Sequence, residues 1–351
     1  MMGRARSAMP DVTALIPTFR RPSLLSRALS SVVEQDGAEA CAAVFDNASG
    51  DETGDVVATF AARYPHVRYV CREQNIGGLA NMLAAVQTVD TPYFSLLSDD
   101  DYLLPGAYRH AIAALERHPE AMFWTGVTLE VDEDGRIWNA RMQRWTREGL
   151  YKPPEGALAM THGRAPTWTG VVFRREVLDR VGFIDPRAGG PSDLDYLLRV
   201  AARFPFVFER LPAAVFTLNR QSFSATQPLS SFWPGWMRLI ENMDALPGIG
   251  DAARSQLVAA VRQDAERMLF RRGANAIACR RGQFARESAA ALTSYFDRRG
   301  KAGLLRVLAG ACEHVGVAQR LATWTYRLLE DRIVRSRSRL QDDYGHLLRS
   351  V

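Results

Sequence analysis

Cysteine is scarce. Cys41, Cys71, Cys279 and Cys312 are the only four in 351 residues. They form no CxxC pair and no dense framework, so a disulfide scaffold and a zinc ribbon are both excluded, and buried reduced thiols are expected. The six histidines show no metal-ligand spacing. No apolar run reaches the ~18–20 residues that span a bilayer. The stretch Met1 to Pro10 carries Arg4 and Arg6 but no apolar segment, which predicts no secretory signal and a cytoplasmic site of synthesis. A G-x-S-x-G elbow and a Walker loop are missing. Gly77-Gly78 is no G-x-G-x-x-G fingerprint, which disfavours a dehydrogenase.

What is present is the balance of a globular protein. Hydrophobic residues make up 47% and charged residues 24%, enough to bury a sizeable core. The length predicts one large α/β domain with a helical appendage, or two domains. The net charge of +5 is uneven. Residues 251–351 hold about 19 Lys and Arg against about 10 Asp and Glu, leaving the first 250 slightly acidic. A basic C-terminal part suits an anionic membrane or an acidic partner; nothing in the sequence points to nucleic acid.

The first hundred residues alternate. Val12–Ile16 reads as a buried strand stopped by Pro17. Ser23–Gln35 has helical spacing, with Ser23 placed to cap it. Strands at 42–45, 67–70 and 93–97 alternate with helices at 53–64 and 78–89. Such alternation predicts a mostly parallel sheet covered on both faces, with ligands beyond the carboxyl ends of its strands. Polar clusters fall there: Pro17-Thr-Phe-Arg20, Asp46-Asn-Ala-Ser49 and Ser98-Asp-Asp-Asp101. Further on, helices are read at 108–117, 175–181 and 194–203, and strands at 122–131, 171–173 and 206–208. Residues 136–165 read as irregular. From about 232 the chain reads as almost wholly helical.

The acidic run carries the strongest chemical signal. Three adjacent carboxylates repel one another unless a cation or strong donors neutralise them. A hard divalent ion with oxygen ligands does so and keeps places for phosphate oxygens. A solvated acidic turn is the alternative.

Six segments in order resemble glycosyltransferase family 2. They are Ile16-Pro-Thr-Phe19, Asp46-Asn-Ala-Ser-Gly-Asp-Glu-Thr53, Gln74-Asn-Ile-Gly-Gly-Leu-Ala-Asn81, Ser98-Asp-Asp-Asp-Tyr-Leu-Leu-Pro105, Thr169 to Asp185, and Ser192-Asp-Leu-Asp-Tyr-Leu-Leu-Arg199. The likeness covers about residues 11–225. It implies a GT-A type, Rossmann-like, mostly parallel sheet flanked by helices, in a catalytic domain over 11–230. An α-helical C-terminal domain would occupy 231–351. The implied activity is inverting transfer of a sugar from a nucleotide diphosphate, UDP- or dTDP-linked, to an acceptor hydroxyl. The acceptor would be a saccharide or a lipid-linked precursor in polysaccharide or glycoconjugate synthesis.

The resemblance also implies roles. Pro17, Thr18 and Phe19 with Asp46 or Asn47 would read the nucleobase. Asn75 would support base and ribose, Gly77 would let the backbone approach closely, and Asp99 would contact ribose or sugar. Asp100, then Asp101, would hold Mg²⁺ or Mn²⁺. Trp168 and Gly170 would line the sugar or acceptor pocket. Asp193 would act as general base, with Asp195 as its rival. Two positions depart from the family pattern. Ser98 stands where many members have the first Asp of the DxD motif. Asn219 falls where many have a histidine, and there Arg220 is a substitute phosphate contact.

Two other readings stand beside this one. A nucleotidyltransferase would need a glycine- and lysine-rich loop after the first strand, and Pro17-Thr-Phe-Arg-Arg-Pro22 lacks it. A binding module without turnover would have no need of Asp100 and Asp193. Trp233, Trp236 and Met237 beside Arg238 are expected to pack on the catalytic domain, with an interfacial membrane anchor or a homodimer contact as alternatives.

Overall fold

The computed structural model describes residues 9–218, 228–336 and 338–350. Asn219 and Arg220 lie outside the described residues.

Strands β1 (Val12–Thr18), β2 (Ala40–Asp46), β3 (Val67–Cys71), β4 (Tyr93–Leu96), β5 (Tyr102–Leu103), β6 (Phe123–Asp132), β9 (Val171–Arg174) and β10 (Phe206–Leu218) form one sheet in the order β3-β2-β1-β4-β9-β6-β10-β5. Two short strands, β7 (Ile137–Arg141) and β8 (Gly149–Tyr151), attach to β6 and β10. β1, β2, β3 and β4 are mutually parallel, and β6 and β10 run with them; β5, β7, β8 and β9 run against. The sheet is therefore mostly parallel, as the alternating pattern predicts.

Helix α1 (Pro22–Val33) buries Leu25, Ala28, Leu29 and Val32 on one stripe, the i, i+3, i+4, i+7 spacing of an amphipathic helix. Its start differs from expectation. Pro22 occupies the first turn and no side chain caps it, because proline brings a fixed φ and no N–H needing a partner. Helices α2 (Thr53–Ala61), α3 (Gly78–Val86) and α4 (Ala107–Arg117) complete this half. Then come α5 (Glu155–Met160), α6 (Glu176–Val181) and α7 (Ser192–Ala201).

Two stretches depart from the sequence reading. β10 is 13 residues long, whereas only 206–208 reads as a strand. Its middle, Glu209-Arg210-Leu211-Pro212, breaks the apolar run, and proline removes a ladder donor. The fold absorbs this through register shifts against β6 on either side of Pro212. The stretch 136–165, read as irregular, holds β7, β8 and α5. These elements are too short for periodicity to reveal.

The helical part comprises α8 (Leu229–Asp244), α9 (Asp251–Ala278), α10 (Gly282–Phe296), α11 (Arg299–His314), α12 (Gly316–Ser336) and α13 (Ser338–Tyr344). One core runs from Leu15 and Phe45 in the sheet through Trp236, Leu239 and Leu269 to Leu305 and Ala309. Trp233 and Trp236 are buried in it, where burial of large aromatic area dominates packing. Tyr344 on α13 returns to the α/β part, accepting a hydrogen bond from Gln143 Nε2 at 3.3 Å. All four cysteines are free thiols. Their expected burial holds for Cys41 alone, since Cys71 and Cys279 are exposed and Cys312 is half-buried. No described helix is long and apolar enough to cross a membrane.

Candidate active site

Parallel strands that end together bring their following loops together. The loops after β1, β2 and β4 therefore meet, and side chains far apart in sequence bond across them. Thr18 donates its hydroxyl to Asp99 Oδ2 at 2.8 Å. The Asn47 amide donates to Asn75 Oδ1 at 2.8 Å, and Asn47 Oδ1 accepts the Ile76 N–H at 2.9 Å. Asn75 Oδ1 also accepts the Gly77 N–H at 2.9 Å. Gly77 has φ +85°, a conformation that favours glycine, and it leads into α3. Pro17 lines the cavity described below. Phe19 is exposed, with the Arg20 guanidinium 5.0 Å from its ring centre.

Asp46 is committed to building its loop. Its Oδ1 accepts the Ser49 N–H and hydroxyl at 2.9 and 2.6 Å, and its Oδ2 accepts the Tyr69 hydroxyl at 2.7 Å. Burial and this bond push the Tyr69 hydroxyl well above the ordinary tyrosine range. In these loops the remaining amide hydrogen of Asn47 and the amide group of Asn75 are left without a bond named above.

The three adjacent aspartates have three fates. Asp99 is buried and takes the Thr18 hydroxyl and, at 3.2 Å, the Arg21 guanidinium. Burial raises its carboxyl above the usual range despite those donors. Asp100 is partly exposed; its Oδ1 accepts the Ser98 hydroxyl at 2.6 Å and its Oδ2 the Arg21 guanidinium at 2.9 Å. Asp101 is 1% exposed. It takes the Thr169 hydroxyl on one oxygen and the Thr217 N–H on the other, and burial pushes its carboxyl up to about 7. Both oxygens of Asp101, the second ligand candidate, serve protein donors, which leaves Asp100 the more open of the two. Asp101 fastens the β4 end to the 3₁₀ turn Trp168–Gly170 and to β10.

A cavity of about 230 Å³ lies at these strand ends. Pro17, Ser98 and Asp101 line it together with Trp168, Thr169 and Asp193. Trp168 also contacts Phe173, Phe183 and Tyr196, so it bridges core and cavity. Gly170 is not in the lining. It is buried against Thr128, whose Oγ1 would lie 2.2 Å from an added Cβ, so this glycine permits a close approach inside the fold.

Asp193 and Asp195 share the first turn of α7 and are used differently. Asp195 is fully buried and bonded at 2.8 Å to both Arg199 Nε and Asn242 Nδ2. Asp193 bonds within the protein to the Leu194 N–H at 2.7 Å. It lines both the 230 Å³ cavity and a second cleft of about 770 Å³ toward the helical part. Burial raises its carboxyl above the usual aspartate range, with the Leu194 N–H and the Arg141 guanidinium opposing.

Sequence reasoning missed Arg21, Arg27, Ser49, Tyr69 and Thr217. Arg27 donates to the Asp100 carbonyl at 2.6 Å and to the Thr217 hydroxyl at 3.1 Å. Arg21 had a signal, the Arg20-Arg21 pair in a strand-end loop facing three carboxylates. Thr217 had none, because it lies on the part of β10 read as loop.

Sheet order, the strand-end carboxylates and the cavity shared with the start of α7 define an α/β protein of the GT-A type. Residues 13–182 match the family described as Glycosyl transferase family 2, and the chain belongs to glycosyltransferase family 2. A protein of Sinorhizobium fredii is 29% identical over 197 residues, 55% of this chain and 20% of that one. The GalNAc(5)-diNAcBac-PP-undecaprenol beta-1,3-glucosyltransferase of Campylobacter jejuni is 30% identical over 100 residues, 28% of this chain and 32% of that one. The chain thus spans well under two thirds of the length of these relatives. Among solved structures, S. aureus TarS 1-349 in complex with UDP-GlcNAc superposes with TM-score 0.58 at 14% identity, covering 91% and 92% of the two chains. The mannosyltransferase PcManGT of Pyrobaculum calidifontis, in complex with GDP-Man and Mn²⁺, gives 0.53 at 15%, covering 93% and 86%.

Proposed function

We propose that the chain transfers a sugar from a nucleotide diphosphate, UDP- or dTDP-linked, to an acceptor hydroxyl with inversion at the anomeric carbon. One observation carries the reading: a single cavity is lined both by the strand-end residues Pro17, Ser98 and Asp101 and by Asp193 across from them. The solved neighbours that hold UDP-GlcNAc and GDP-Man support a nucleotide-sugar donor.

In this reading Asn47 and Asn75 face the base, Thr18 and Asp99 the ribose, and Trp168 the sugar. The acceptor oxygen attacks the anomeric carbon as the bond to the diphosphate oxygen breaks. The hydroxyl proton goes to Asp193, and the electron pair of the broken bond leaves on the diphosphate. Burial raises the Asp193 carboxyl, which strengthens it as a proton acceptor.

For a divalent cation the donor set is lean. Among the described residues no three His, Cys, Asp or Glu side chains group as a ready ligand set. Asp100 fits a role in which substrate oxygens and water complete the shell, the usual habit of Mg²⁺. It is partly exposed, and its present partners are the Ser98 hydroxyl and the Arg21 guanidinium. When bound, such an ion neutralises charge on the departing diphosphate. Arg21 supplies positive charge to the same carboxylates.

The test is calorimetry of UDP with and without Mn²⁺, joined to hydrolysis of a panel of nucleotide sugars. Metal-enhanced binding with turnover of at least one donor is expected. Binding with no turnover across donors and acceptors favours a module; turnover of a nucleoside triphosphate with a sugar phosphate favours a nucleotidyltransferase.

Peripheral membrane contact belongs to the same reading, through a surface other than Trp233 and Trp236. Val317, Leu321 and Trp324 form an exposed stripe on α12 beside exposed Leu304, Val307 and Leu308 on α11. Arg306, Arg320 and Arg327 accompany them. Apolar residues with flanking cations suit an anionic bilayer surface. Sedimentation with phosphatidylglycerol vesicles, lost in Trp324→Glu, is the expected result; equal sedimentation of both proteins would refute it.

A further inference from the structure

The second cleft, about 770 Å³, lies between the α/β part and the helices and shares Asp193 with the first cavity. If Asp193 receives the acceptor's proton, this cleft is where the acceptor reaches it. Its charges tell what kind of acceptor. Arg141 is paired with Glu130, and Lys301 with Glu266 at 2.6 Å. Asp264 holds the N–H of His162 at 2.5 Å. Arg267 and Arg271 are different. Both line the cleft, both are exposed, and among the described residues neither forms an ion pair with a carboxylate. Arg267 Nη1 stands 2.8 Å from Nδ1 of His162, which Asp264 Oδ1 also approaches at 3.2 Å, so Asp264 offsets part of its charge and Arg271 is the more open of the two.

These two arginines are four residues apart on α9, on one helix face. Like charges at that spacing destabilise a helix by about 0.2–0.5 kcal/mol. An exposed guanidinium fork in the wall of a cleft matches the oxygens of a phosphate, which it can bind through paired N–H donors.

We infer that Arg267 and Arg271 form an anion subsite for the acceptor, so that the group glycosylated carries a phosphate, as diester or diphosphate, near its reactive hydroxyl. The inference rests on the reading of Asp193 as the base and deepens it. Arg141, paired with Glu130, lines the same cleft as Asp193. Trp236, nine-tenths buried, supplies apolar wall.

The experiment measures binding of three probes with and without saturating UDP: a short glycerol-phosphate oligomer, farnesyl diphosphate in detergent, and neutral maltotetraose. UDP blocks the nucleotide cavity, so a probe that binds only in its absence is in the wrong site. At least one phosphate probe should bind about tenfold or more tighter than maltotetraose in the presence of UDP. Its affinity should fall as salt rises. The better of the two phosphate probes tells a soluble polymer from a lipid-linked acceptor. Arg271→Glu should lower that affinity about tenfold or more, and Arg271→Lys should restore part of it. Because Arg271 is exposed, both variants should keep the wild-type melting temperature. Phosphate probes no tighter than maltotetraose, or an affinity that Arg271→Glu leaves unmoved, would overturn the subsite. Failure of all donors to turn over strikes the transfer reading instead, while the binding data still judge the subsite.

Discussion

The strand-end loops and the helical layer of this protein are held by different forces. After β1, β2 and β4 the loops are joined by polar bonds between distant residues: Thr18 to Asp99, Asn47 to Asn75, Thr169 to Asp101. Beyond residue 228 the helices are joined mainly by apolar packing, with Leu239, Leu257, Leu269, Ala285 and Leu292 buried. Directional bonds fix positions, whereas apolar contact fixes proximity and tolerates adjustment. The rigid region lines the cavity of about 230 Å³, and the helical region lines part of the cleft of about 770 Å³. Helix α7 stands at the boundary and belongs to both.

The contrast can be broken first at Asp195. This carboxylate is a polar tie between α7 and the helical layer, bonding both Arg199 and Asn242 of α8. Removing one partner of a buried pair leaves the other charge uncompensated, at about 3–5 kcal/mol. Asp195→Ala should therefore lower unfolding stability by that order in a denaturant titration. A change under about 1 kcal/mol would mean that packing alone holds the helices.

Two residues earlier the effect should move from stability to rate. Asp193→Asn should leave melting and UDP binding as they are and lower turnover by about 10² or more. The wild-type rate should rise with pH through a carboxyl value above the usual aspartate range, since the protonated base accepts nothing and burial raises that value. Near-normal turnover in the variant would move the base elsewhere. In the rigid region, Asp100→Ala should remove the Mn²⁺ enhancement of UDP binding, about tenfold or more. An unchanged response to the metal would refute Asp100 as the ligand.

The same contrast explains what the sequence revealed. Strands and polar strand ends were legible because β-branched apolar runs stopping at Pro17, Asp46 and Ser98 carry both signals at once. Which carboxylate does what was not legible. Asp99, Asp100 and Asp101 are chemically identical in a string, and only Thr169 and the Thr217 N–H, far away in sequence, set Asp101 apart. Asp46 and Asn47 read alike as base contacts in the string, and the Ser49 and Tyr69 bonds to Asp46 tell them apart. The cleft cations were invisible because Arg267 and Arg271 are two among many arginines of a basic helical segment. Their lack of carboxylate partners is a fact of packing.

The smallest predicted effect tests the seam between the two regions. Asp185, just before α7, accepts hydrogen bonds from Arg187 and from Arg238 Nε of α8 at 2.7 Å. Burial alone would raise its carboxyl, but these donors outweigh it and hold it well below the usual range. A carboxyl depressed in the folded state contributes stability above its unfolded value. That contribution is lost as pH falls through the folded value. Arg238→Ala should therefore cost about 1–2 kcal/mol near pH 7. The gap between variant and wild type should close as pH drops below about 4, where the unfolded carboxyl takes up its proton. Chemical unfolding of both proteins across that range measures it. A gap independent of pH would assign the contribution of Arg238 to the packing of its stem, and would leave the seam to apolar contact.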